Sequence, residues 1–462
     1  MNHNSTQYLK RYAEPEAQIA DRVTRTYHAA LVLPAYAEEA SLLERMAAGL
    51  GDAPERVLLV LVVNAPTTDS DRGEAAEANQ LLLQQTRAAG RCTRLLQAPT
   101  IDWIRAPACD ALLVDRSQPG HRIGTKQGVG LARKIGMDIA LSLFARGRLL
   151  SPILFNTDAD VELPSGYFHS AEFDLSCSAW LYPFHHLPSG DPGVDAATEL
   201  YELWLRYYVA GLQWAGSPFA FHTIGSTLAV NANAYAAVRG FPKRAAGEDF
   251  HLLNKLSKVA PVQQLASPLL AIRSRRSARV PFGTGPRVSQ LLEEHARKPE
   301  AGLSGPAFYH PQVFAGLKIA LERLRGFSSS GSIRELEASA SASSELGTAV
   351  TAALEHLGAP PILAQLYSQA REAPVRLERF HGWFDALRTL RFLHLLRDSV
   401  APSLPYQEAL VRAEFIEAVF ADGTPAPKTQ GGKPRDVRST LDKMRAGVVS
   451  YQSGPSTTRM GQ

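Results

Sequence analysis

An apolar run, Pro152-Ile153-Leu154-Phe155, ends in Asn156-Thr157-Asp158-Ala159-Asp160-Val161-Glu162, and few features of the chain constrain its fold more. A short apolar run of this length reads as a buried strand, and two aspartates one residue apart then stand at the mouth of a sheet. Alternation along extended chain points Asp158 and Asp160 the same way. Like charges held that close repel, and a divalent cation beside them relieves the repulsion. The pair therefore points to a metal, a phosphate-bearing ligand and an enzyme. A turn whose aspartates cap the next helix is the other reading of the same residues.

The segments before the pair alternate. A strand at His28–Pro34 precedes a helix at Glu38–Leu50, and a strand at Arg56–Val63 precedes a helix at Glu74–Ala89. A strand at Ala111–Val114, a helix at Gly124–Ala145 and the strand ending in Phe155 follow. This order predicts an α/β fold, a mostly parallel central sheet flanked by helices. Ligands of such sheets bind at the carboxyl ends of the strands, where the aspartates lie. Beyond them come expected strands at Phe173–Phe184 and Thr223–Val230, and helices at Val194–Trp214, Ala232–Val238 and Gly247–Val259. From about residue 287 the chain reads as helical. Four regions are thus expected: an N-terminal arm over 1–27, a catalytic domain over 28–286, a helical C-terminal domain or lid over 287–422, and a disordered tail over 423–462 rich in Pro, Gly, Lys, Ser and Thr.

Composition narrows the class. With 462 residues, 45% hydrophobic and 20% charged, the chain is of soluble globular type and long enough for two or three domains. No apolar run reaches the roughly 18 residues that span a bilayer, and Met1–Thr6 lacks a basic region followed by an apolar core. Three distant cysteines, Cys92, Cys109 and Cys177, fit a reducing compartment, so a cytoplasmic protein is expected. The net charge of +4 is small and scattered, which argues against nucleic acid as a partner. Two local basic clusters, Lys126 to Lys134 and Arg273 to Arg279, suit one or two phosphates rather than a polymer.

Taken in order, Pro34-Ala35-Tyr36-Ala37-Glu38-Glu39, the glycine-rich Gly124–Lys134, Asp158-Ala159-Asp160 and Gly247-Glu248-Asp249 resemble the family 2 glycosyltransferases and their nucleotide-diphospho-sugar transferase (GT-A type) fold, over roughly residues 28–280. The resemblance implies a hexosyltransferase-class enzyme that moves a sugar from a nucleotide-diphosphate donor to an acceptor hydroxyl. The acceptor class, whether saccharide, lipid-linked or small molecule, is not implied. Asp160 would ligate Mg²⁺ or Mn²⁺ directly, with Asp158 on ribose or metal-bound water. Pro34, Ala35, Tyr36 and Glu38 would face the donor. Asn64 stands where the family usually has an acid, and can hydrogen-bond a base or ribose. Lys126 and Arg133 are seven apart, hence on one helical face, and with the amides of a helix N-terminus would attract an anionic donor. Arg276 and Arg279 belong to a basic segment that would close over the diphosphate. Asp249 is the expected base of an inverting transfer, with Glu248 orienting it or the acceptor. A catalytically degenerate binder of the same fold, and a phosphatase using Asp158 and Asp160, are the alternatives.

Overall fold

Uninterrupted apolar strands build the centre of the molecule because both their faces are covered. Strand β1 (Ala29–Ala35) is buried at every position, and β2 (Val57–Asn64) at every position but the last. Such strands occur in parallel sheets with helices on both sides. The computed structural model describes residues 3–50, 56–169, 173–276, 283–297, 305–331, 344–419 and 437–450. Two compact units are present: one from residues 1–195 and 223–289, the other from 196–222 and 290–462.

The first unit opens with helix α1 (His3–Arg11) and a 3₁₀ helix (Pro15–Arg22). Its main elements then alternate: β1, α2 (Leu42–Leu50), β2, α3 (Glu74–Ala88), β3 (Arg91–Leu96), β4 (Thr100–Arg105), β5 (Asp110–Arg116), α4 (Gly128–Ala145) and β6 (Ile153–Asn156). After these come β7 (Val161–Glu162), β8 (Ala179–Leu181), β9 (Phe184–Leu187), the start of α5 (Pro192–Trp214), β10 (Leu228–Asn231), α6 (Ala232–Ala237), α7 (Glu248–Leu256), β11 (Val262–Gln264), β12 (Leu270–Arg273) and the start of α8 (Thr284–Arg297). Nine strands form one sheet in the order β11-β8-β10-β6-β1-β2-β5-β4-β3. Strand β1 pairs in parallel with both β2 and β6. The chain therefore leaves β1 in one direction and returns on its other side, and this reversal opens a crevice at the carboxyl ends of β1 and β6.

Pro34 within a central strand has a local explanation. Pairing with β6 covers Leu31 and Val32, and the Thr157 amide donates to the Val32 carbonyl. The next residue of β1 facing β6 is Pro34, where β6 has already ended, so the missing N–H removes no ladder bond. Helix α4 lies against β1 and β2 through Gly136, where an added Cβ would come within 2.4 Å of Val32 Cγ1. A second, three-stranded sheet joins β7, β12 and β9. It brings the chain just after the aspartates beside the arginine-rich segment, a juxtaposition with consequences for the site.

The sequence reading omitted the β3–β4 hairpin, β11 and β12, each short. The expected strand 173–184 is reduced to β8, and β9 begins at its last residue. The N-terminal arm packs on α4 and α6 through Tyr8 and Glu14. Tyr8 is buried and its hydroxyl donates to the fully buried Asp138 of α4 (2.5 Å). Asp138 also accepts from Lys134 (2.9 Å), Tyr235 (3.0 Å) and the Glu14 amide (2.8 Å).

The second unit is helical. It contains the rest of α5 and of α8, then α9 (Pro311–Ser330), α10 (Glu345–His356), α11 (Ala359–Ser368), α12 (Ala373–Trp383), α13 (Ala386–Ser399), α14 (Tyr406–Arg412), α15 (Glu414–Val419) and α16 (Val437–Ser450). Its core gathers Tyr207, Phe308, Phe314, Leu317, Phe380, Phe392 and Leu396. Two departures from expectation stand out. Residues 196–222 belong with the helical part, and the expected disordered tail contains α16, whose Leu441 and Met444 are buried in the same core. No helix among the described residues is long and apolar enough to cross a membrane. Cys109 and Cys177 are buried thiols, whereas Cys92 is exposed.

Candidate active site

The aspartate pair does not continue as extended chain. The Val161 amide donates to the Asp158 carbonyl, so residues 158–161 turn and each carboxylate takes its own partner. This corrects the expectation that both point the same way. Asp158 accepts from Arg133 Nη2 at 2.7 Å, and Asp160 from Arg275 Nε at 3.1 Å.

Arg133 is the inner pivot. It lies on α4 with only 4% of its side chain exposed. It donates from Nε to Glu248 (2.9 Å), from Nη1 to Asn156 Oδ1 (2.9 Å) and from Nη2 to Asp158. Burial opposes its charge, but Asp158, Glu248 and Asp249 together hold the guanidinium charged. Arg133 thus ties the end of β6 to the start of α7. The expected pairing with Lys126 on one helical face is not observed. Helix α4 begins at Gly128, and Lys126 is exposed in the preceding turn. Nor do the glycines leave an open helix start. The Gly130 amide donates to the Arg244 carbonyl (3.0 Å), and Cβ atoms at Gly128 or Gly130 would strike the backbone of 242–245. The small residues serve packing of the segment before α7.

Arg275 is the outer pivot. Its Nη1 and Nη2 grip both oxygens of Glu38 at 3.0 Å, a two-point bond of the strong planar kind. The ladder decides which arginine arrives here. Ile272 pairs with Val161 and Ala271 with Glu162, and the Arg273 amide donates to the Asp160 carbonyl. That register carries Arg275 onto Asp160, while Arg273 meets Glu162. Of the arginines expected here, Arg276 is 60% exposed and 3.7 Å from Asp191, and Arg279 lies outside the described residues. The decisive arginine was one position away, in a run where sequence does not rank them.

Glu248 and Asp249 open α7 after Gly247, which takes the left-handed conformation (φ 70°). Glu248 is buried against Arg133. Among the described residues no arginine forms an ion pair with Asp249, whose Oδ1 accepts the Phe250 amide at 2.7 Å. Burial, then the negative charge of Glu248, push its carboxyl up to about 7. Burial also raises Asp160, with Asp158 and Glu38 adding to the rise and Arg275 opposing it.

The β1 loop is braced from β2. Asn64 donates its amide to the Ala35 carbonyl (2.9 Å), and Asn79 bridges the Asn64 carbonyl and the Ala37 amide. Asn64 is therefore occupied, in part, in holding Ala35, and Ala37 takes φ 52°. Pro34 is buried in the ladder opposite Val62. The Tyr36 hydroxyl donates to Asp69 (2.8 Å). Asp69 lines a polar cavity of about 510 Å³ together with Asp71, Asn79, Asp115, Gln118 and Arg122.

Five carboxylates (Glu38, Asp158, Asp160, Glu248, Asp249) and two guanidiniums thus meet in one crevice, an excess of negative charge. Among the described residues no cluster of three or more His, Cys, Asp or Glu side chains forms a ready metal cage. The donor set still fits a hard cation, which commonly takes one or two carboxylates and completes its shell with phosphate and water.

The fold and site define an α/β protein with an acid-rich crevice at the switch point of a mostly parallel sheet. No family model matches the chain, and no curated protein matches it in sequence. Among solved structures it is similar to S. aureus TarS in complex with UDP-GlcNAc, at 12% identity and TM-score 0.36, covering 77% of this chain and 91% of that one. It is similar to the Pyrobaculum calidifontis mannosyltransferase in complex with GDP-Man and Mn²⁺, at 17% identity and TM-score 0.30, covering 82% and 92%. A third likeness is to Mycobacterium tuberculosis glucosyl-3-phosphoglycerate synthase in complex with Mn²⁺, UDP and glucosyl-3-phosphoglycerate, at 14% identity and TM-score 0.31, covering 61% and 82%. Each of the three was solved with a nucleotide or a nucleotide sugar bound.

Proposed function

We propose that this chain is a glycosyltransferase that moves a sugar from a nucleoside-diphosphate donor to an acceptor hydroxyl, with inversion, using a divalent cation. The observation that carries this reading is the charge of the crevice. A diphosphate brought to an excess of carboxylates is repelled unless a cation accompanies it. Asp160, with Asp158, would hold Mg²⁺ or Mn²⁺, which supplies charge neutralisation for the departing diphosphate.

The remaining chemistry belongs to the chain. Asp249 takes the proton from the acceptor oxygen as that oxygen bonds to the anomeric carbon and the bond to the diphosphate oxygen breaks. A carboxyl near 7 suits a base at neutral pH. Arg133 is bonded to Glu248 and acts on Asp249 only through space, which leaves the Asp249 carboxyl, among the described residues, without a guanidinium bonded to it. The polar cavity beside Tyr36 and Asp69 is assigned to the nucleoside.

The test is turnover of a panel of uridine and guanosine diphosphate sugars, followed as sugar release or transfer. Asp160→Ala should lower turnover by a factor of about 10³ or more with an unchanged melting temperature. Asp249→Asn should keep nucleotide binding by calorimetry while losing transfer by about 10²–10⁴. Undiminished turnover in Asp160→Ala would sink the assignment.

A further inference from the structure

Arg275 faces two of the crevice's carboxylates. It grips Glu38 through both terminal nitrogens and reaches Asp160 through Nε and Nη2, all between 3.0 and 3.1 Å. Glu38 is 8% exposed, Asp160 22% and Arg275 33%, so the contact is partly buried and open to solvent on the arginine side. A guanidinium so placed holds the counter-ion position of the carboxylate assigned above to the cation. A carboxylate whose Oδ2 already carries a guanidinium holds a divalent cation less tightly, because the two cations repel and one oxygen is already engaged.

We propose that Arg275 competes with the divalent cation for Asp160, so that the site takes up cation and nucleoside diphosphate together rather than cation alone. The diphosphate supplies what the competition removes: an anion to which Arg275 can transfer its bonds, and oxygen ligands for the cation. Binding of either ligand then strengthens binding of the other by the same factor. Arg275 is in this sense a positioning residue that sets the order and coupling of ligand uptake. The inference rests on the cation reading of the site.

The experiment is a Mn²⁺ titration of the full chain by electron paramagnetic resonance of the free ion, corrected for Mn²⁺ held by free nucleotide. In wild type, saturating UDP or GDP should tighten Mn²⁺ at least tenfold. Arg275→Gln and Arg275→Met should bind Mn²⁺ alone at least tenfold more tightly than wild type, and nucleotide should tighten it by a smaller factor than in wild type. Arg275→Lys, which keeps the charge, should stay near wild type, and Asp160→Asn should abolish binding in each background. Wild-type Mn²⁺ affinity that is indifferent to nucleotide, or neutral variants that bind Mn²⁺ no better while Asp160-dependent binding persists, would overturn the competition and leave Arg275 a structural brace. Absence of Mn²⁺ binding from wild type and variants alike, with nucleotide present, would overturn the cation reading itself. Circular dichroism and melting identify which of the two neutral variants is folded.

Discussion

Asp249 places opposite demands on activity and stability. Its carboxyl is held at about 7 by burial and by Glu248, against 3.8 in an ordinary aspartate. The folded chain therefore binds this proton more tightly than the unfolded chain between those values, and stability falls as pH rises through the window. Above 7 the folded state carries the penalty of a charge in a partly buried site beside Glu248, and Asp249→Asn removes it. We expect the substitution to raise the melting temperature at pH 8, and to raise it less at pH 5, as measured by calorimetry. Equal gains at both pH values would show that Asp249 is not held protonated by the fold. In wild type the base form is lost below 7, so kcat/KM should fall about tenfold per pH unit there. A flat profile between pH 5 and 7 would remove Asp249 as the base.

The carboxylates themselves were readable in the sequence, because an acid just past an apolar run, or at a helix start, announces a strand mouth or an N-terminus. Their partners were not. In sequence Arg133 reads as an attractor of an anionic donor at a basic helix start, yet it is buried against groups supplied by β6, its following turn and α7.

At the scale of elements, α4 does most to hold the site in place. It carries Arg133 toward the crevice, and its next turn carries Lys134 and Asp138 toward the N-terminal arm. Its approach to the sheet depends on Gly136, where a Cβ would meet Val32 Cγ1 at 2.4 Å and Val62 Cγ2 at 3.4 Å. Branched valines cannot swing aside, so Gly136→Ala must push the helix outward. We expect a loss of about 1–3 kcal/mol in urea unfolding, as overpacking typically costs, and reduced turnover because Arg133 moves with the helix. A variant as stable and active as wild type would show that α4 is not seated on that glycine. The parallel strands β1, β2, β5 and β6 and the helices between them were legible, since burial on both faces demands apolar runs, whereas the β3–β4 hairpin was missed. The small sheet of β7, β9 and β12 was not, because strands of two to four residues carry no periodicity to read.

Across the whole molecule, the helical unit shows how a late segment can complete a core laid down earlier. The fully buried Glu202 on α5 accepts from Arg206, and from Arg445 at 2.9 and 2.7 Å. Arg445 lies on α16, whose Leu441 and Met444 join the core beneath. Arg445→Ala takes two donors from a buried carboxylate, at a cost of about 1–3 kcal/mol. Calorimetry should show a lower transition for the helical unit. An unchanged trace would mean that α16 contributes no stability. The sequence reading took this region for a tail because its flanks are rich in Pro, Gly and Lys. The apolar stripe within α16 is short and acquires its meaning only against a core assembled elsewhere.

What the sequence determined by itself is local: where strands and helices alternate, which strand ends bear acids, and therefore that ligands meet the carboxyl edge of a parallel sheet. Tertiary structure decided which cation faces which acid. Glu38 and Arg275 are separated by 237 positions, and Arg133 and Glu248 by 115. The physical reason is that propensity and periodicity act over one or two turns of chain. A salt bridge is selected by ladder register and helix packing, and a shift of one residue in β12 would have delivered a different arginine to Asp160.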